Sequence, residues 1–246
     1  MNVLITAGGT RENIDNVRAI TNTSTGRLAA AIAEAFAKKG ADIFYVCSES
    51  AVLPLSKAAA VRVVSARDTE IAISEITRSN SIDIIVHCMA IGDYRTRRAI
   101  TAENLAELIL AEKDRLNNYD DILRIIGKAP SANESGKISS THDNLMLVME
   151  KTPKVIAGLR NLAPNAVIVG FKLLCDASEE RLIDTAYSLL RQNNCDYVLA
   201  NDCAGINENG HIGYFIDINK EYAKYNTKQE IANGIVETIW NKKKLS

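Results

Sequence analysis

The sequence has no apolar run near the ~18 residues that a membrane span requires. Nor does it open on the basic-then-apolar pattern of a secretory signal, because Asn2-Val-Leu-Ile-Thr6 leads straight into a strand pattern. Neither sign of charge is in surplus: 29 Lys and Arg against 30 Asp and Glu give net −1, which excludes the basic field of a nucleic-acid binder. The triplet Lys242-Lys243-Lys244 suits the solvated end of a helix. Of the five cysteines (Cys47, Cys88, Cys175, Cys195, Cys203) no two have CxxC spacing, and most lie in apolar runs. They read as reduced core thiols of a cytoplasmic protein. His87, His142 and His211 lack metal-ligand spacing, so neither a structural zinc nor a Cys–His nucleophile is expected.

What is present is alternation. Continuous apolar runs predict strands over Asn2–Thr6, Asp42–Cys47, Ile82–Cys88, Val167–Phe171 and Tyr197–Ala200. Strands buried on both faces of a parallel sheet read this way. Between them lie helix patterns at Gly26–Lys39 (ended by Gly40), Thr69–Asn80, Lys154–Asn161, Ser178–Asn193 and Lys228–Lys242. The expected fold is α/β, a doubly wound, Rossmann-like parallel sheet whose ligands bind beyond the carboxyl ends of the strands. The rhythm breaks at 95–143, with helical signals at Ala102–Leu116 and Asp120–Gly127 and a breaker-rich stretch, Ala129–Thr141, before a strand pattern at Asn144–Lys151. That segment reads as an inserted flap and subunit contact within a single domain of 1–246.

The connection after the first strand, Ala7 to Thr25, is far longer than a strand-to-helix link needs, which marks it as a binding loop. Thr23, Ser24 and Thr25 are good N-cap residues, so a glycine turn, hydroxyls and a helix N-terminus gather in one place, suited to phosphate or carboxylate. An NAD(P)-dependent oxidoreductase is the alternative. It wants GxGxxG, whereas Gly8 and Gly9 are adjacent and Gly26 follows seventeen residues later; no tyrosine has a lysine four residues on.

Thr6-Ala-Gly-Gly-Thr-Arg-Glu12, Asp15-Asn-Val-Arg18, Ile20-Thr-Asn22 and Ser24-Thr-Gly26 together resemble the opening of phosphopantothenate–cysteine ligases. The resemblance continues through Ala90-Ile-Gly-Asp93-Tyr-Arg95, Gly136-Lys137-Ile138-Ser139, Lys151-Thr-Pro153-Lys-Val-Ile156, Val169-Gly-Phe171-Lys and Leu199-Ala-Asn201-Asp202. Ordered motifs over some two hundred residues make it specific. It implies a ligase of coenzyme A biosynthesis that joins 4′-phosphopantothenate to L-cysteine through an acyl-nucleotidyl intermediate, using CTP or ATP with Mg²⁺ and no flavin. It also implies a cytoplasmic homodimer without nucleic-acid or membrane partners, and the opening at the ligase motif suggests a stand-alone form. A non-catalytic nucleotide-binding relative is the further alternative.

The resemblance assigns Asn22 to the acyl carbonyl and Lys137, on a flap expected to be poorly ordered without ligand, to the triphosphate. Gly8, Gly9, Thr10, Arg11, Ser24, Thr25 and Gly26 would hold the acid substrate. Met89 (through its backbone), Asp93, Pro153, Lys154, Val155, Ile156 and Phe171 would contact the nucleotide. No metal ligand is assigned. Two departures bear on the nucleotide: Leu189-Leu-Arg191-Gln-Asn193 lacks the lysine pair of bacterial CTP-using members, and Phe171-Lys-Leu is more like eukaryotic members, which tend to use ATP.

Overall fold

The computed structural model describes residues 1–132, 136–206 and 210–245, with Leu245 described by its backbone alone. Part of the expected flap, 133–135, lies outside the described residues. The strands are β1 (Asn2–Ala7), β2 (Arg11–Asn13), β3 (Ala19–Thr21), β4 (Asp42–Ser48), β5 (Ala59–Val63), β6 (Ile84–His87), β7 (Tyr94–Thr101), β8 (Leu145–Lys151), β9 (Val167–Leu174), β10 (Tyr197–Ile206), β11 (His211–Asp217) and β12 (Tyr222–Tyr225). The helices are α1 (Arg27–Lys38), α2 (Ala66–Ser79), α3 (Ala102–Ala111), α4 (Tyr119–Lys128), α5 (Val155–Leu162), α6 (Glu179–Gln192) and α7 (Lys228–Leu245).

The chain forms two compact units, the first of Met1–Thr10, Asn22–Ile91 and Pro153–Ser246, the second of Arg11–Thr21 and Gly92–Thr152. The first is built on an eight-stranded sheet in the order β12-β11-β10-β9-β6-β1-β4-β5. Strands β5 to β10 of that order run parallel, and β11 and β12 add antiparallel strands at one edge. Side chains alternate between two buried faces. Val3, Ile5, Val86 and Leu199 join Ile32, Phe36 and Ile235 of α1 and α7, while Leu4, Ile85 and Val198 join Ile73, Leu159 and Leu182 of α2, α5 and α6. This double burial explains why each strand is a continuous apolar run. The doubly wound, Rossmann-like expectation holds.

The second unit pairs β7 with β8 as an antiparallel ribbon, with α3 between Thr101 and the 3₁₀ turn Lys113–Arg115, and α4 following. Arg11–Thr21 contributes its own small hairpin, β2 with β3. The long loop expected after β1 therefore carries regular structure, and β7 joins the expected strand near 144–151 as its partner. Sequence periodicity missed β7 because Tyr-Arg-Thr-Arg-Arg-Ala-Ile-Thr is polar at one end and buried only at Ala99–Thr101.

Two expectations fail. The cap of α1 is Gly26, in the left-handed region at φ 71° and ψ 2° with no side-chain cap, so the hydroxyls of Thr23, Ser24 and Thr25 do not cap the helix. A Cβ at Gly26 would meet the Ala51 side chain and the Gly8 amide, each at 3.2 Å, which is why the helix starts on glycine. The cysteines are not all reduced: Cys175 and Cys203 form a disulfide. Parallel register between β9 and β10 sets Asp202 beside Leu174, which brings Cys203 of β10 beside Cys175, the first residue past β9. Cys47, Cys88 and Cys195 remain free.

Candidate functional site

In the first unit the chain leaves β1 toward β4 on one side and returns to β6 on the other, so the loops after β1 and β6 flank the point where strand order reverses. Ligands of doubly wound sheets bind at such a point. The two loops are stitched together: Thr10 N–H donates to Ala90 O at 3.0 Å, Ala90 N–H to Gly8 O at 2.9 Å, and Gly9 bridges Ala90. Asn22 closes the arrangement, its backbone N–H donating to Thr10 O at 3.3 Å and its side-chain amide to Ala90 O at 3.2 Å. An amide carries two N–H groups, and anchoring one fixes the plane of the other.

Glycine is needed at both positions of the turn. Gly8 has φ 86°, and a Cβ there would strike Ser48 Oγ and approach Ala51 Cβ at 2.8 Å; a Cβ on Gly9 would strike the Asn22 carbonyl oxygen. Ser48 Oγ is buried with no hydrogen-bond partner among the described residues. Ser24 is half-buried and Thr25 exposed, and Thr25 O accepts from Val52 N–H at 3.0 Å, tying the segment before α1 to the loop after β4.

Behind the turn, the base of β6 is set by a buried relay. Thr6 Oγ1 and His87 Nδ1 are 3.0 Å apart, and Met89 N–H donates to Thr6 Oγ1 at 3.1 Å. Full burial pushes His87 down to about 4, so it is neutral at ordinary pH. Met89 thus has its amide committed to Thr6, and its sulfur accepts from Thr69 at 3.5 Å within the core between α2 and the sheet.

Pro153 and Lys154 are exposed at the start of α5, where Lys154 is the N-cap without a side-chain cap. Val155 is buried and Ile156 packs on the core beside Gly170, so these two present backbone rather than side chain to any ligand at that helix end. Phe171 is half-buried against the core face of α1 and α7.

In the second unit, Asp93 and Lys137 are exposed, as is Arg11 at the start of β2. Thr152 ties the Asp93 turn down, donating its N–H to Asp93 O at 3.0 Å and its hydroxyl to Gly92 O. The backbone on either side of Lys137 is clamped. Gly136, at φ 87°, accepts from Asn16 N–H at 2.8 Å. Ile138, only 1% exposed, donates its N–H to Asp15 Oδ2 at 3.1 Å and accepts from the Arg18 guanidinium at 2.7 Å. The Asp15 carboxylate also takes the N–H of Val17 at 2.8 Å and of Arg18 at 2.6 Å. These backbone donors, Ile138 foremost, hold its pKa below the usual carboxylate range. Asp15 and Arg18 of the opening motif fix the stretch carrying Lys137. Asn16, Asp15 and Arg18 thus hold the backbone on both sides of Lys137.

No group of three or more His, Cys, Asp or Glu among the described residues could hold a metal ion. No helix among the described residues is long and apolar enough to cross a membrane.

A family model describing the DNA/pantothenate metabolism flavoprotein C-terminal domain matches residues 1–134 and 129–242. The chain belongs to this family. Among its relatives, the coenzyme A biosynthesis bifunctional protein CoaBC of Thermococcus kodakarensis is 30% identical over 241 residues, covering 97% of this chain and 50% of the relative. CoaBC of Methanocaldococcus jannaschii is also 30% identical over 241 residues, covering 96% and 50%. The chain thus spans about half the length of these curated relatives. The DNA/pantothenate metabolism flavoprotein from Streptococcus pneumoniae has the same fold, with TM-score 0.82 and 31% identity over 98% of this chain and 99% of that one. A Cab2 mutant in complex with phosphopantothenate-cysteine shares the fold at TM-score 0.70 and 19% identity, over 98% and 85%. The family is the one that the sequence motifs pointed to.

Proposed function

We propose that this chain is a phosphopantothenate–cysteine ligase. The carboxylate of 4′-phosphopantothenate attacks the α-phosphorus of a nucleoside triphosphate, forming an acyl-nucleotidyl anhydride and expelling pyrophosphate. The amine of L-cysteine then attacks the acyl carbon, the nucleoside monophosphate departs, and the amine loses a proton as the amide forms. None of these steps needs a nucleophilic side chain. They need anion sites and a neutral donor at the acyl oxygen.

The observation that carries the reading is Asn22, an amide held on the Ala90 carbonyl where the loops after β1 and β6 meet. A carboxamide donates to a developing oxyanion without titrating. Gly8, Gly9 and Thr10 bring backbone close to the substrate, with Ser24, Thr25 and Gly26 leading into α1, whose first-turn amides have no side-chain cap. Arg11 adds charge for the acid substrate. Lys137 supplies a cation for the triphosphate and the departing pyrophosphate. Asp93, the backbone at Met89 and at Pro153–Ile156, and Phe171 serve the nucleotide. Phe171-Lys-Leu and the absence of lysine from 189–193 favour ATP alongside CTP as a substrate. Magnesium travels with the nucleotide, and no flavin takes part. Mixing 4′-phosphopantothenate, cysteine and either nucleotide should release pyrophosphate in step with product; hydrolysis indifferent to phosphopantothenate would refute the reading.

The same proposal extends to a cytoplasmic homodimer assembled through the second unit. Helix α3 has no buried residue, and Leu110 (69%) and Tyr119 (71%) stand open to solvent, with Ile122 and Leu123 exposed beside them on α4. Sedimentation at micromolar concentration should give twice the 26.9 kDa chain mass; a monomer would contradict it.

A further inference from the structure

We propose that Cys175 and Cys203 form a reversible thiol–disulfide exchange site for low-molecular-weight thiols, which staples and releases the segment between β9 and α6. The two cysteines close a loop of sequence separation 28 that contains all of α6. Their Cα atoms are 5.0 Å apart, a spacing compatible with a disulfide and set by the parallel register of β9 and β10.

The surrounding backbone has its own ties. Asp202, the neighbour of Cys203, takes the N–H of Ala177 at 2.7 Å and of Ala204 at 2.8 Å, holding the residues that follow Cys175 against the end of β10. These donors keep the Asp202 pKa low, so the clasp stays charged at neutral pH. Ladder and clasp survive reduction, and the two sulfurs stay within reach of re-forming the bond. Cleavage is therefore a local event rather than an unfolding one.

Access is equally selective. Cys175 is exposed and Cys203 half-buried. Burial raises the other three thiols, Cys88 and Cys195 to about 12. Thiolate chemistry is thereby confined to this pair.

In the forward direction the thiolate of a small thiol attacks Cys175 Sγ. The disulfide breaks, its electron pair leaves on Cys203 Sγ, which takes a proton from water, and Cys175 carries a mixed disulfide. A second small thiol attacks the small-molecule sulfur of that mixed disulfide, releasing the Cys175 thiol and a small-molecule disulfide. Two electrons pass from two thiols to the protein, and the reverse sequence re-oxidises the pair. The proposal stands apart from the ligase reading, since it concerns sulfur chemistry at a different pair of residues.

The test places folded protein in buffers of defined cysteine-to-cystine ratio, alkylates it, and maps the label by peptide mass. A cysteine-rich buffer should leave Cys175 and Cys203 both alkylated, and a cystine-rich buffer neither. Cys47, Cys88 and Cys195 should stay unlabelled, with a cooperative melt in both states. Cys203→Ser should accumulate a stable cysteine adduct on Cys175 that the wild-type chain resolves. Cysteines that stay alkylatable in cystine, or a disulfide that yields to cysteine only after the protein has melted, would overturn the proposal. The wild-type label map decides this even if the variant fails to fold.

Discussion

At the carboxyl end of the sheet Asn22 is placed by close backbone contact, whereas in the second unit Lys137 is placed by a charged clamp. The Asn22 site depends on two glycines with no room for a Cβ and on main-chain bonds between the Gly8–Thr10 and Ala90 segments. The Lys137 stretch depends on one carboxylate that gathers three backbone N–H groups and one guanidinium that returns a bond to Ile138. A steric arrangement of the first kind should fail by clash when a side chain is added to either glycine. One of the second kind should weaken when a single charge is removed, with the fold intact.

The largest effect expected is that of Asn22→Asp. It is nearly isosteric, but it puts an anion where oxyanion charge must develop. Loss of one such donor costs ~10²–10³ in rate, and repulsion adds to that, so ligation should vanish while the chain still folds. Near-normal turnover would remove Asn22 from the chemistry.

Next comes Lys137→Gln, expected to slow pyrophosphate release in a single turnover by roughly 10²-fold with little change in substrate affinity. A normal burst would make Lys137 an ordinary surface charge. Asp15→Asn should act through the same lysine and more weakly. Weakened bonds to the Val17, Arg18 and Ile138 amides would leave a defect on the order of tenfold. In Asp15→Asn/Lys137→Gln the two losses should not multiply, because the clamp has nothing left to position. Independent losses would show that Asp15 serves the fold alone.

A further difference separates the two regions by pH. His87 falls from its ordinary 6.5 to about 4 on burial. The unfolded chain therefore binds the extra proton between those values, and stability drops as pH falls from about 6.5 toward 4, by on the order of 3 kcal/mol. Asp15, with its pKa lowered from 3.8, keeps its contribution across that window and loses it only below. Denaturant midpoints of wild type and His87→Gln between pH 7 and 4 should converge as the pH falls. Parallel curves would mean that His87 is not the acid-sensitive group.

Much of the sheet was legible because strands β1, β4, β6, β9 and β10 are apolar on both faces, so composition alone marks them. The edge strands β5 and β12 and the ribbon strand β7 were not, since a strand covered on one side carries charge and tyrosine on the other. The turn at Gly8-Gly9 and the start of α1 could be read from residue types. The cap itself was misread, because a left-handed glycine leaves the same local signature as the hydroxyls just before it. Asp15 and Arg18 gave no signal beyond their place in a motif, because their partner Ile138 lies more than a hundred residues away. The Cys175–Cys203 pairing was invisible for the same reason: it depends on register between two strands, which spacing does not encode.

The central claim is that this chain activates the carboxylate of 4′-phosphopantothenate with a nucleotide. The most direct measurement supplies phosphopantothenate with CTP or ATP, withholds cysteine, and follows pyrophosphate in a single turnover. A burst near one pyrophosphate per site is expected, strictly dependent on phosphopantothenate and slowed roughly 10²-fold in Lys137→Gln. No burst with either nucleotide, or an equal one without phosphopantothenate, would contradict it.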